Sequence, residues 1–236
     1  MAAARARVVV ITGGSRGIGL ATAQAFAAQG DQVIISGRDA GRLKSAADQI
    51  RSDQIDAIVC DVRDPASVEQ TFQQIDSRYG KIDVLFNNAG VAHALTPVEK
   101  LAPETWREVI ETNLTGMYLV TRAALPLMRA GSSIVNNLSV AAVQAFSGMS
   151  GYNAAKFGAL GFTKALREEL RQKGIRVLAL LPGATNTEIW QQFWPGAPRE
   201  KMMKSETVAA AILHAISAPS EASVEELMIG PTAGVL

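Results

Sequence analysis

Along this chain, short runs of β-branched and aliphatic residues alternate with segments whose apolar positions recur every three to four residues. Arg7–Thr12 (RVVVIT), Gln32–Ser36 (QVIIS), Asp56–Cys60 (DAIVC), Lys81–Phe86 (KIDVLF), Ser132–Leu138 (SSIVNNL), Ile175–Leu181 (IRVLALL) and the short Glu226–Ile229 read as strands. Helices are predicted over Gly17–Gln29, closed by Gly30, and from about Ala40 to Arg51. Pro65–Tyr79 follows, with proline at its start and Gly80 just past its end, the usual helix punctuation. A long helical region runs from Pro103 to Arg129, with room for a break near Asn113. The last two helices span Ser150–Gln172, ending near Gly174, and Ser205–Ser217. The strands read as near-continuous apolar runs, as expected of a parallel sheet buried on both faces. Strand and helix in strict alternation predict an α/β fold: a doubly wound parallel sheet of about seven strands. No repeat, linker or composition shift divides the chain, so a single domain over 1–236 is expected. The least regular stretch is Gly183 to Lys204, long for a connection in such a fold.

Composition narrows the partners. The net charge is +1, with no basic or acidic half, so neither nucleic acid nor an anionic membrane is an expected partner. One cysteine, Cys60, excludes an internal disulfide and fits a cytoplasmic setting. Its apolar run favours a small buried side chain over a reactive thiol. Met1 to Arg7 reads as a loose lead-in, and Val8 to Ile11 is too short for a signal-peptide core. No stretch of about 18 apolar residues occurs, so no transmembrane helix is expected. His93 and His214 lie far apart and Cys60 stands alone, so no metal site is expected. No GxSxG motif supports a serine hydrolase.

The first strand runs into Thr12-Gly13-Gly14-Ser15-Arg16-Gly17-Ile18-Gly19. A glycine turn between strand and helix lets a pyrophosphate approach the backbone and the unpaired N–H groups of the helix start. The alternative is a turn that only packs the helix on the sheet. The second strand ends Ser36-Gly37-Arg38, without the acid that usually holds an NAD ribose. Arg38 and Arg16 instead suit a 2′-phosphate, which a guanidinium binds as a planar fork, so NADP (NADPH) is the expected cofactor. Otherwise both are solvated surface arginines. Asp39 reads as a cap of the next helix.

Tyr152-Asn153-Ala154-Ala155-Lys156 places tyrosine and lysine one helical turn apart on one face. Alone, this would be an ordinary surface pair. Ser139, however, falls where the fifth strand ends, and open parallel sheets carry their sites at strand carboxyl ends. The glycine turn, the Asn88 segment, Ser139 and Pro182-Gly183 should therefore meet on one edge. These pieces, TGGSRGIG (12–19), Asp61-Val62, NNAG (87–90), Asn113, Ser139, YNAAK (152–156) and PG (182–183), come in the order and spacing of a known family. The chain resembles the single-domain short-chain dehydrogenase/reductases over nearly its whole length.

The resemblance implies a Rossmann fold and a catalytic set of Asn113, Ser139, Tyr152 and Lys156. It implies cofactor contacts from Gly13, Ser15, Arg16, Gly17, Ile18 and Gly19, and from Arg38. Asp61, with Val62, would meet the adenine, and Asn88, with Ala89 and Gly90, the ribose. Pro182, Gly183, Thr185 and Thr187 would border the nicotinamide, Tyr152 and Lys156 also touching the cofactor. Thr185 departs from the family pattern, which usually has an apolar residue there. The chemistry follows from the residues themselves. A free tyrosine titrates near pH 10, and a neighbouring lysine cation would lower that value. Tyr152 could then exchange a proton with the oxygen of a carbonyl or secondary alcohol, while Ser139 stabilises the growing charge. By family analogy Asn113 would help a water path return the proton.

Ile189, Trp190, Phe193 and Trp194 read either as an aromatic lid over an apolar small-molecule substrate or as anchors of their loop on the core or on another subunit. The resemblance implies a homodimer or homotetramer, and the ending Ile229 to Leu236 could reach a neighbour. Two other classes stay open: a non-catalytic NADP-binding regulator, and an epimerase or dehydratase relative, whose C-terminal regions tend to be longer.

Overall fold

The computed structural model describes residues 6–50 and 52–234. The expected lead-in through residue 5, the helix end at Arg51, and Val235 and Leu236 lie outside the described residues. Seven strands, β1 (Val8–Thr12), β2 (Gln32–Gly37), β3 (Ile55–Val59), β4 (Ile82–Asn87), β5 (Met128–Asn137), β6 (Arg176–Pro182) and β7 (Glu226–Ile229), form one sheet in the order β3-β2-β1-β4-β5-β6-β7. Every pairing is parallel. The order reverses at β1, whose two neighbours lead away in opposite directions, and this is where ligands sit in such sheets.

Among the described residues there are eight α-helices, α1 (Gly17–Ala27), α2 (Ala40–Ile50), α3 (Pro65–Tyr79), α4 (Pro103–Ile110), α5 (Gly116–Ala124), α6 (Ser150–Arg171), the single turn α7 (Trp190–Phe193) and α8 (Ser205–Ile216). Side chains alternate along a strand. Val8 and Val10 of β1 therefore enter the layer holding Val68 and Phe72 of α3 and Leu166 and Leu170 of α6. Val9 and Ile11 enter the opposite layer, with Phe26 of α1, Leu43 of α2 and Ile212 of α8. Two cores, one on each face, explain the unbroken apolar runs. α3 shows how local chemistry sets boundaries: Asp64 accepts from the Ala66 N–H, Pro65 opens the helix, and Gly80 closes it at φ 63°.

The long helical region expected from Pro103 to Arg129 runs contiguously from Pro103 to Ala124, with its break near Asn113 as expected. A π-helical turn, Glu111–Thr115, joins α4 to α5 and carries Asn113. The second helix stops at Ala124, followed by a 3₁₀ turn over Leu125–Leu127. Pro126 has no N–H to continue the ladder. β5 then begins at Met128, four residues before the expected start, where Met128 pairs with Ile82 and the register shifts before Val84 meets Ser133. No helix among the described residues is long and apolar enough to cross a membrane.

Candidate active site

One cavity of about 770 Å³ opens at the carboxyl edge of the sheet. Of the site residues read from the sequence, all but Gly19 border it. Gly19 sits inside the first turn of α1, where an added Cβ would strike the Gly13 carbonyl oxygen. It is needed for packing the turn and makes no wall of the cavity.

The dinucleotide end is built on the start of α1. Arg16 is the N-cap residue but gives no side-chain cap, and the first turn holds no acid, so its N–H groups face the cavity unneutralised. The Asn88 amide braces the turn by donating to the Thr12 and Gly13 carbonyls at 3.1 and 2.9 Å. Its Oδ1 in turn accepts from Asn137 at 2.8 Å. Around the rim, Arg16 pairs with Glu188 at 2.5 Å. Arg42 lies 3.5 Å from Asp39 and 4.0 Å from the same Glu188. Among the described residues no carboxylate pairs with Arg38. Asp39 caps α2 as expected, accepting from the Arg42 N–H at 3.0 Å. Asp61 is engaged by Arg63, whose hydrogen bonds hold its carboxyl below the usual range. The uncapped helix start and the glycine turn fit a dinucleotide diphosphate, with arginines along the rim beside it.

The reacting end gathers Ser139, Tyr152 and Lys156. Ser139 follows β5 and caps a short 3₁₀ turn, its Oγ accepting from the Ala141 N–H. Tyr152 and Lys156 sit buried in the first turns of α6. Lys156 Nζ donates to the Asn137 carbonyl at 2.9 Å and lies 5.5 Å from the Tyr152 ring centre. One expectation is corrected here: the Tyr152 hydroxyl is not pulled below its ordinary value. Burial pushes it up to about 12, and a hydrogen bond with Ser139 acts the other way. Burial also brings Lys156 down to about 8, because its charged form loses water.

Asn113 is committed to structure. Its Oδ1 accepts from Val91 N–H, and its Nδ2 donates to the Val91 and Val109 carbonyls. It thereby clips the π turn to the segment after β4. Thr185 turns its hydroxyl onto the Gly183 carbonyl and bridges to Met203, and its own carbonyl accepts from Trp190 Nε1. The hydroxyl is thus satisfied locally in a buried position, while backbone atoms of Thr185 tie down the loop. Thr187 packs against Gly17.

Sequence reasoning missed Arg42, Glu188 and Asn137 as site residues, and His93 as a support. Glu188 meets Arg16 across 172 positions, a distance no local motif spans. His93 is buried and accepts from the Tyr152 N–H, a long contact of 3.4 Å at the start of α6. Asn137, two residues before Ser139, had a usable signal: a polar residue closing an apolar strand. Cys60 is buried, and burial raises its thiol. Among the described residues no group of three His, Cys, Asp or Glu could hold a metal ion.

The aromatic residues of the 184–204 loop pack on one another at the cavity. Phe193 stands edge-on to Tyr152 at 6.0 Å and to Trp190 at 4.8 Å, and Trp190 meets Trp194 at 6.4 Å. All three border the cavity while packing on one another. Gln192 secures α7 by accepting from the Ala92 N–H at 2.9 Å.

Residues 7–197 match the family model described as short chain dehydrogenase. A 3-oxoacyl-[acyl-carrier-protein] reductase of Synechocystis is 37% identical over 197 residues, covering 80% of this chain and 78% of the relative. An alcohol dehydrogenase of the archaeon Thermococcus sibiricus, solved with 5-hydroxy-NADP, superposes with a TM-score of 0.90 at 29% identity and 98% coverage of both chains. A 3-ketoacyl-(acyl-carrier-protein) reductase of Brucella melitensis, solved with NADH, gives 0.88 at 29% identity, covering 96% of this chain and 98% of that one.

Proposed function

This chain belongs to the short-chain dehydrogenase family, and on that premise we propose that it is an NADP(H)-dependent oxidoreductase acting on a carbonyl or secondary alcohol. The observation that carries the reading is the meeting of Ser139, Tyr152 and Lys156 in one cavity with the open start of α1. A bound nicotinamide supplies or accepts the hydride. Tyr152, whose raised value keeps its phenol protonated at neutral pH, gives that proton to the carbonyl oxygen in reduction. In oxidation the proton returns by the same path, and the buried Lys156 ammonium beside the ring favours the phenolate that must then form. Ser139 donates a hydrogen bond to the same oxygen as its charge grows. Asn113 holds the chain that borders the site, and its water-path role stays a family analogy.

The 2′-phosphate reading rests on Arg38, with Arg16 and Arg42 close by and no acid at the end of β2. Since one related structure is with a form of NADP and another with NADH, the arginines of this chain carry the choice. Homodimer or homotetramer assembly is part of the proposal. Tyr118 of α5 and Phe157 of α6 expose aromatic faces suited to it.

Two measurements on one variant test the mechanism. Tyr152→Phe should cut turnover by about 100- to 10,000-fold, while fluorescence titration shows NADPH still bound. Near-native turnover in that variant would remove the tyrosine from proton transfer. The wild type should show a higher kcat/KM with NADPH than with NADH, and the reverse order would overturn the cofactor assignment.

A further inference from the structure

Resting on the carbonyl-reductase reading, we infer that the substrates are uncharged ketones or secondary alcohols bearing an aryl or bulky apolar group, and that the site excludes carboxylate-bearing ketones of the same shape. The cavity is divided by charge. Among the described residues, and apart from Lys156, the charged side chains that border it are Arg16, Arg38, Asp39, Arg42, Asp61 and Glu188. These follow β1, β2 and β3 or pair with Arg16, so they cluster at the dinucleotide end. The wall beyond Tyr152 is different. It is made by Leu95, Val143, Phe146, Met149, Phe193 and Trp194, with only neutral polar groups such as Gln144 and Ser147 among them.

The position of the aromatic residues gives the shape. The Phe193 and Tyr152 rings meet in a T-shaped arrangement with centroids 6.0 Å apart, so a carbonyl held by the Tyr152 hydroxyl has an aromatic wall beside its substituents. Leu95, Val143 and Trp194 are exposed at the rim, an apolar surface left open to whatever enters. A carboxylate placed against this wall would lose its water and meet no cation to replace it. Among the described residues that border the cavity, the one ammonium, Lys156, is buried and already donates to the Asn137 carbonyl. A neutral ring at the same place loses little and gains contact.

Methyl 4-acetylbenzoate and 4-acetylbenzoate share the ketone and ring and differ in charge at the far end, which makes them a matched pair. With NADPH, the ester should exceed the acid in kcat/KM by about 100-fold or more. With the protein saturated in NADP⁺, where no reduction occurs, the ester should quench tryptophan emission at far lower concentration than the acid. Quenching by the ester without any turnover would keep the substrate class and sink the reductase reading. Equal kcat/KM for the pair, or no quenching by either, would overturn the class itself. Val143→Lys places a cation on the exposed rim and should shrink the preference about 10-fold. An unchanged ratio in that variant would mean that wall charge does not decide selection.

Discussion

At Lys156 burial sets the charge. Its amine falls from 10.5 to about 8 because the charged form is cut off from water. The sign of the stability effect follows. Below pH 8 both folded and unfolded chains carry the proton, and the fold bears the full cost of the buried ammonium. Between pH 8 and 10.5 the unfolded chain still binds a proton that the folded chain has released, so stability rises with pH there. Urea denaturation across this range should therefore show the wild type gaining on Lys156→Met as pH increases. Parallel curves would mean that Lys156 keeps an ordinary value. Glu188 acts at the same scale by holding Arg16, the arginine expected at the ribose phosphate. Glu188→Gln frees that guanidinium and removes an anion from the site. NADPH should bind about 2- to 5-fold tighter at low salt, with NADH unchanged. An equal gain for both cofactors in titrations would show that Glu188 acts on the loop instead.

At the level of elements, the site depends on turns that tolerate nothing extra. Alanine normally favours a helix over glycine. At Gly19 that gain is defeated, since the new Cβ would strike the Gly13 carbonyl and the Asn88 amide that braces the turn. Gly19→Ala should lower stability by about 1–3 kcal/mol and lose NADPH binding, seen in thermal melts and fluorescence titration. Retained stability and affinity would show that the turn can shift to make room. The π turn between α4 and α5 works in a related way: it presents Asn113 to the Val91 segment, which an unbroken α-helix would point elsewhere. The loop after β6 is less irregular than its sequence suggests. Thr185, Gln192 and Arg199 fasten it at several points, Arg199 donating to the Thr187 carbonyl at 2.6 Å.

Across the whole molecule, the cavity joins two chemistries that the chain keeps far apart in sequence: arginines around residues 16–42 and an aromatic wall around 143–194. The parallel sheet brings them together because every strand delivers its carboxyl end to the same edge. Much of this was legible beforehand. Apolar runs gave the strands, since the inner strands of the sheet are buried on both faces and leave no place for polar alternation, while the edge strands β3 and β7 are partly exposed. The glycine turn and the Tyr152–Lys156 spacing were legible too, because each is a local requirement written in neighbouring residues. The helix end at Ala124 could have been read from Pro126. A break near Asn113 was expected, but its π form, the Arg16–Glu188 pair, His93 beneath Tyr152 and the Asn137 carbonyl on Lys156 could not be read, because each joins residues distant in the chain or depends on how helices pack. The rise of Tyr152 belongs with them. Spacing alone shows a lysine one turn away and suggests a lowered value, whereas the solvent lost by a buried phenol depends on every element closing over it. Sequence thus determined what is local and periodic, and tertiary structure decided burial, electrostatics and long-range pairing, which are properties of the packed whole.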